Sequence, residues 1–525
     1  MPSYLTPGVY VEETSSGNKP IEGVGTATAA FLGFTEKGPL NAPVLVTNWT
    51  QYTNTFGDLV AGAYLPQAVY GYFLNGGGNA YVVSLGPGGG PGEGATTDKA
   101  VAELPATTRG ELAGPDGARP SLAVGLTAGA AQGGGPVTVE VDDASDGGDD
   151  AFKLVVRRDG KVEEVYDNVS TKKGVSYVAT AVKRSALITV EDVKGAAPAR
   201  PVKGATVTLA GADKAAVAVT AEPEIAPDLY IGDAAERSGV AGLEAIEDIT
   251  MVAVPDLMAA YQQGAIDAEG VKAVQLALVA HCELMGDRMA ILDPLPDLNA
   301  QQVREWRQEY SAFDSKYAAL YWPWIRVMNP KEKAPELIPP SGHVAGVWAR
   351  NDDTRGVHKA PANETLRGAL SVALGVTKGE QAILNPIGVN CLRSFPGQGL
   401  RIWGARTLSS DPEWRYINVR RLFNYVEKSI LDGTNWVVFE PNDMYLWESV
   451  QRTVNMFLRR VWRSGALFGQ TPAEAFFVKC DEENNPPENR DAGILTVDIG
   501  IAPVKPAEFV VFRLSQFSQG SSLNE

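Results

Sequence analysis

Histidine and cysteine are scarce in this sequence, with three of each in 525 residues. Three histidines leave little material for general-base chemistry. Cys282, Cys391 and Cys480 are odd in number and scattered, which excludes a disulfide framework; each reads as a small buried hydrophobe in a protein made in a reducing cytoplasm. No apolar run reaches the roughly 18 residues that a membrane helix needs, so no membrane insertion is expected. The start, MPSYLTPGVYVEE, lacks a basic region leading into an apolar core, so cytoplasmic synthesis and assembly without a signal peptide are expected. Positive charge is also short: 46 Lys+Arg against 63 Asp+Glu leave a formal net charge of -17. That balance disfavours direct nucleic-acid binding, because phosphate contacts require a basic footprint. Phosphate-binding loops, zinc spacings and nucleophile elbows are missing too. Gly76, Gly77 and Gly78 end a helix and open a strand, whereas a dinucleotide fingerprint follows a strand and opens a helix. No catalytic residue, metal ligand or cofactor is assigned, and no enzyme is expected.

What is present is a globular composition, 44% hydrophobic, in a chain long enough for about three or four domains. The stretch from Asn390 to Cys480 organises it, as two amphipathic helices separated by a short strand. The first helix starts near Asn418 as N-cap, buries Val419, Leu422, Phe423, Val426 and Ile430, and stops before Gly433. The second, from Asp443 to Leu467, places Trp447, Val450, Val454, Phe457 and Val461 on one face. Arg452, Arg459 and Arg463 fall on the opposite face with Arg460 beside them. Such a face is often only solvated arginine stems lying over apolar surface. Here, however, residues 391 to 468 carry eleven Lys+Arg against seven Asp+Glu inside an acidic chain. A local cationic patch of that kind points to one specific acidic partner.

The rest of the chain alternates strands and helices, which predicts a mixed α/β fold with a mainly parallel sheet. Val9, Tyr10, Val11 and Glu12 form a short strand in an N-terminal arm with no hairpin partner nearby. It pairs either as an edge strand of its own domain or on another molecule. Thr26 to Leu85 reads as strand, helix at Asn48 to Phe56, helix at Leu65 to Asn75, and strand at Ala80 to Leu85. Gly86 to Gly94 is a flexible linker. Residues 95 to 228 then hold only three aromatics, Phe152, Tyr166 and Tyr177, against forty elsewhere. Val/Thr alternation between Gly/Asp turns predicts an inserted β-rich module there, with Asp142 to Asp150 a solvated acidic loop. The α/β pattern resumes from Asp228: strand at Thr250 to Val254 ending at a Pro255-Asp256 turn, helix at Gly270 to Gly286, strand at Met289 to Leu292, helix at Leu298 to Phe313, and KYAALYWPWIRV as one buried strand. The loop containing His343, Asp352, Asp353 and His358 matches no closed metal spacing. Arg355 and Lys359 within it are candidates for intersubunit ion pairs. Ile494 to Ile501 alternates as a half-buried strand, and Glu508 to Leu514, EFVVFRL, reads as a final strand.

Several of these strings carry a resemblance: TPGVYVEE with IEGVGTATAAFLGF, FLNGGGNAYVVSL, KYAALYWPWIRV, SGHVAGVWARNDDTRGVHKAPANE, GLRIWGARTL, WRYINVRR and WVVFEPND. Together they resemble contractile tail sheath proteins of phage tails, R-type bacteriocins and phage-tail-like injection systems, nearly throughout except residues 95 to 228. Ser84 stands where a basic residue is common in that family. The resemblance implies multidomain α/β (mixed α+β) subunits with terminal β-strand arms, stacked as a homo-oligomer in rings of six around an inner tube, with baseplate and terminal cap proteins as further partners. A baseplate signal then triggers contraction. It implies that Val9, Tyr10, Val11 and Glu12 and, at the other end, Phe509, Val510, Val511, Phe512 and Leu514 complete sheets in neighbouring subunits. The SGHVAG string would position a helix and loop in the core, and the insert would lie outside the tube. The expected division is arm 1–25, core 26–94 with 229–385, insert 95–228, tube-facing domain 386–505 with Arg452, Arg459, Arg460 and Arg463 towards the tube, and arm 506–525. A surface adhesin leaning on the insert is the alternative, but it leaves both arms unexplained.

Overall fold

A computed structural model describes residues 20–87, 97–98, 101–105, 120–126, 137–146, 151–158, 161–172, 176–192, 200–201, 203–209, 216–217, 219–220, 225–331 and 333–513. Its centre is an eight-stranded sheet. In spatial order the strands are Val44–Val46, Asn79–Pro87, Thr28–Thr35, Met251–Ala253, Met289–Leu292, Ala318–Trp322, Val389–Phe395 and Gly399–Ile402. All neighbours run parallel except the outermost pair at each edge. Thr28–Thr35 is buried along its whole length. Ala29 and Phe31 enter one apolar cluster and Ala30 and Leu32 the other, so the sheet is covered on both faces as a parallel sheet must be.

One face carries the helix Ala268–Met285, capped by the Asp267 side chain on the Gly270 N–H. The other carries Leu65–Asn75 and Ser341–Arg355. The latter overturns the expected loop: the stretch with His343, Asp352 and Asp353 is a helix, buried from Ser341 to Ala349. Its glycines look like loop punctuation but serve helix contact. A Cβ on Gly342 would lie 2.4 Å from Ala68 Cα, and one on Gly346 would lie 2.4 Å from the Tyr72 carbonyl oxygen. The Pro255-Asp256 turn is likewise a helix start, at Asp256–Gln262. Asp256 accepts N–H bonds from Phe34 at 2.5 Å, Leu65 at 2.8 Å and Tyr64. Asp293 accepts from the Ser341 N–H at 3.0 Å. Each carboxyl therefore closes the N-terminus of a covering helix from the end of a parallel strand, where orphan N–H groups need acceptors.

Three further expectations change. KYAALYWPWIRV splits at Pro323 into Ala318–Trp322 of the central sheet and Ile325–Met328 of a separate three-stranded sheet. Val389–Phe395 and Gly399–Ile402 belong to the central sheet, so a boundary after residue 385 would cut it. A parallel partner lies far off in sequence and leaves no local mark of the pairing. Between the two C-terminal helices, Ile417–Gly433 and Met444–Arg463, a 3₁₀ turn at Asn435–Val437 replaces the expected strand. The first of these helices is capped at Tyr416. Asn418 instead donates from Nδ2 to the carbonyls of His358 and Val504.

The inserted segment leaves the edge of strand Asn79–Pro87 and returns at helix Pro227–Ile231. Among its described residues it forms a five-stranded antiparallel sheet with a core of its own around Val139, Phe152, Leu154 and Val207. Asp142 and Asp143 pair with Lys153, Arg200 and Lys203 on its surface.

The two C-terminal helices join the central unit through a buried ion pair, Arg421 to Asp352 at 2.6 Å, with both side chains almost fully covered. Arg421 also donates to the Thr26 carbonyl at 2.8 Å and lies 4.8 Å from the Trp348 ring centre. Burial pushes the Asp352 carboxyl above its usual range, with Arg421 pulling the other way. Arg421→Ala strands a buried carboxylate and is expected to cost about 3–5 kcal/mol in urea unfolding; a loss under about 1 kcal/mol would show that the pair does not join the units.

His343 is fully buried, and burial alone pushes its pKa down to about 4. An unfolded histidine titrates near about 6.5. The folded value is the lower one, so the stability is complete above about pH 6.5 and is lost as pH falls towards about 4, by up to about 3 kcal/mol. Asp256 and Asp293, raised by burial to about 7, act with the opposite sign and gain stability on acidification. His343→Gln should therefore flatten the fall in stability between pH 6.5 and 4 relative to the unaltered chain, measured by thermal melts across that range; parallel profiles would refute the assignment.

Candidate functional site

The helix Met444–Arg463 is started by Asp443, whose carboxylate accepts the Leu446 N–H at 2.9 Å. Trp447, Val450, Val454, Phe457 and Val461 are buried against the neighbouring helix and the ribbon described below, as the spacing predicts. Arg452, Arg459 and Arg463 are exposed on the far side. Among the described residues no ion pair reaches them. The structure therefore brings three of the four expected arginines into one row, about 16 Å long at the helical rise. Arg460 differs: its guanidinium donates to the Ile21 carbonyl.

That contact belongs to the root of the N-terminal arm. Val9, Tyr10, Val11 and Glu12 lie outside the described residues, but residues 20–25 run across the two-helix unit. Ile21 is buried in its core, and the Val24 N–H donates to Ser429 Oγ at 3.1 Å. A side chain on Gly23 would collide with Tyr425, so the strap passes close under that ring.

The C-terminal arm is rooted differently. Glu508 is gripped by Arg406 through Nε at 3.0 Å and Nη2 at 2.6 Å, by Asn385 Nδ2 at 2.6 Å and by the Tyr416 hydroxyl at 3.0 Å. Burial alone would raise the Glu508 carboxyl, yet these donors hold it below its usual value. The Arg406 N–H in turn bonds Asn390 Oδ1 at 2.7 Å, tying the grip to the central sheet. Beyond this point Phe509, Val510, Val511 and Phe512 are all exposed, between 68% and 84%. The described part of the expected final strand is not paired, and Leu514 lies outside the described residues. Sequence reasoning missed the grip. The one signal available was a lone glutamate beside an apolar run.

Two strands, Phe476–Lys479 and Asp498–Ile501, form a separate antiparallel ribbon. Leu495, Val497, Ile499 and Ile501 pack against the cluster around the helix, but of the expected strand Ile494 to Ile501 only Asp498–Ile501 is strand. Among the described residues no third strand joins the ribbon, although Gln451 Nε2 donates to the Val478 carbonyl at 2.9 Å and residues 466–468 bridge to 502–504 just past its end. Of the two residues expected to make intersubunit pairs, Arg355 is exposed, whereas Lys359 is engaged at home with Glu364 at 2.7 Å.

The titratable groups are arranged for packing. Burial pushes His281 down to about 4 and the Cys391 thiol up to about 12, and it raises Cys282 and Cys480 as well. No group of three or more potential metal ligands occurs among the described residues. A cleft of about 900 Å³ opens beside the C-terminal root, lined in part by Arg355, Lys359, Arg393 and Trp403. Asp256 and Asp293, the carboxyls raised most, are not in it.

Two family profiles match the chain, the phage tail sheath protein central domain over residues 235–408 and the phage tail sheath C-terminal domain over residues 409–517. The tail sheath protein of Salmonella phage ViI is 26% identical over 294 residues, covering 52% of this chain and 45% of that protein. That of Vibrio phage KVP40 is 28% identical over 192 residues, covering 36% and 28%. The chain thus spans less than half of either relative's length. Among solved structures, the PVC sheath complex of an extracellular contractile injection system in the contracted state superposes with a TM-score of 0.57 at 22% identity, over 98% of this chain and 99% of that one. The helical sheath of the anti-feeding prophage, also contracted, gives 0.56 at 24% identity over 98% and 100%. At these identities the superpositions establish the fold, while the two adjoining profiles, which together span just over half of the sequence, establish the lineage: the chain belongs to the phage tail sheath family.

Proposed function

We propose that the chain is the structural subunit of a contractile sheath, polymerising as stacked helical rings around an inner tube and contracting to drive that tube through a target envelope. The reading rests on one observation in particular: Phe509 to Phe512 leave an anchored glutamate as an exposed, unpaired apolar segment, in a chain that also carries a ribbon of only two strands. Unpaired backbone and exposed β-formers together fit strand addition to another copy. In this reading the N-terminal strand Val9 to Glu12 of one neighbour and the segment Phe509 to Leu514 of another add to the ribbon Phe476–Lys479 with Asp498–Ile501. Main-chain bonds hold the mesh while the linkers swivel, so contraction proceeds without letting go. Rings of six, a baseplate and a terminal cap complete the particle, and the role is structural rather than catalytic. The insert, residues 95–228, faces outward.

Arg452, Arg459 and Arg463 bind acidic side chains of the tube. Such contacts are individually weak and salt-screened, so contraction breaks them together. Arg460 supports them from its place on the arm root.

Replacing Arg452, Arg459 and Arg463 by glutamate should give contracted or tube-free sheaths by negative-stain microscopy, and normal extended particles from that variant would sink the assignment. Deleting residues 1–13 leaves the buried root intact and should yield monomers or short rings in sedimentation velocity. Polymers of the usual length would rule out exchange of the N-terminal strand.

A further inference from the structure

The cleft beside the C-terminal root is lined by five cations and a single carboxylate, Glu508, which Arg406 already holds. Lys359 is paired with Glu364, and Arg393 donates to Gln381 Oε1 at 2.8 Å. Arg355, Lys378 and Lys505 are exposed and enter no ion pair among the described residues. A concave wall of one charge sign concentrates its field and draws groups of the other sign.

The loop that joins the two ribbon strands carries the opposite charge. Residues 481–491 read DEENNPPENRD, five carboxylates against Arg490. Asn485 fixes the loop from inside: its buried side chain donates to the Thr496 carbonyl at 2.9 Å and accepts the Thr496 N–H at 2.7 Å. Lys479 takes up Glu483. Glu482, Glu488 and Asp491 stay exposed, with no ion pair among the described residues.

These two features do not meet within one chain. The loop sits at the start of helix Met444–Arg463, where Arg490 lies 5.9 Å from the Trp447 ring centre and Asn442 Nδ2 donates to the Ile494 carbonyl. The lip of the cleft at Val504 and Lys505 lies past the end of that helix, where the Val504 N–H donates to the Ala466 carbonyl at 3.2 Å. The length of the helix, about 30 Å at the helical rise, separates them. A surface and its complement at opposite ends of one unit make a head-to-tail contact, which propagates through successive copies instead of closing a dimer.

We propose that the cleft receives residues 481–491 of a second copy of this chain, the free carboxylates Glu482, Glu488 and Asp491 lying against the free cations Arg355, Lys378 and Lys505. This deepens, and rests on, the reading of the chain as a polymerising subunit: it adds a contact between folded bodies to the exchange of terminal strands. Each pair alone is weak and salt-screened, so the contact acts through the number of its charges.

The test is a charge exchange in the full chain, read by sedimentation velocity. One variant carries Glu482→Lys and Glu488→Lys, the other Arg355→Glu and Lys378→Glu; all four side chains are exposed, so the thermal midpoints should not change. Each variant alone should form about tenfold less polymer, because like charges then face each other. Mixed in equal amounts the two should polymerise again, since the basic loop of the first fits the acidic cleft of the second and the unaltered loop of the second fits the unaltered cleft of the first. A chain carrying all four changes, with its net charge restored, should polymerise by itself. Normal polymers from either variant alone, or failure of either recovery, overturn this contact and leave strand exchange standing. An unaltered chain that forms no polymer overturns the sheath reading, and this contact with it.

Discussion

The placement of the two C-terminal helices on the central unit depends on the buried pair between Arg421 and Asp352. The two C-terminal helices carry the arginine row, cover the root of one arm and flank the root of the other. Their placement on the central unit is set by directional bonds: two guanidinium contacts to a carboxylate, a third to the Thr26 carbonyl, and stacking over Trp348. Apolar contact alone tolerates sliding, whereas a desolvated ion pair has one geometry in which its cost is offset.

Residues 21–24 and Glu508 are each held by polar contacts. Arg460 and Ser429 receive the strap at residues 21–24, and Arg406, Asn385 and Tyr416 receive Glu508. The ribbon has two strands, fewer than an independent sheet needs. In the proposed strand exchange, the polar anchors at the roots, the two-stranded ribbon and the exposed apolar segment form a consistent set.

The central parallel sheet places buried carboxyls where ligands usually gather. In open parallel sheets the carboxyl ends of the strands are where ligands gather. Here those ends present Asp256 and Asp293, whose oxygens are taken up by helix N–H groups. The N-termini of two covering helices thus face inward on buried carboxyls.

Much of this was written in the amino-acid sequence. The period of apolar residues between Trp447 and Val461 determined the arginine helix and which side of it meets water, because a 3.6-residue repeat is a local property. The glycine trio after Asn75, the alternation at Ile494 to Ile501 and the aromatic-poor insert were legible for the same reason. Tertiary structure alone decided the rest. Gly342 and Gly346 look like loop residues until a second helix is brought against them. Val389–Phe395 belongs to the central sheet only because Ala318–Trp322 lies beside it. Arg460 looks like its neighbouring arginines until the chain returns from the far end of the sequence to place a carbonyl within its reach. Contacts between residues hundreds of positions apart leave no periodic trace, so only folding reveals which charges are free and which are already engaged.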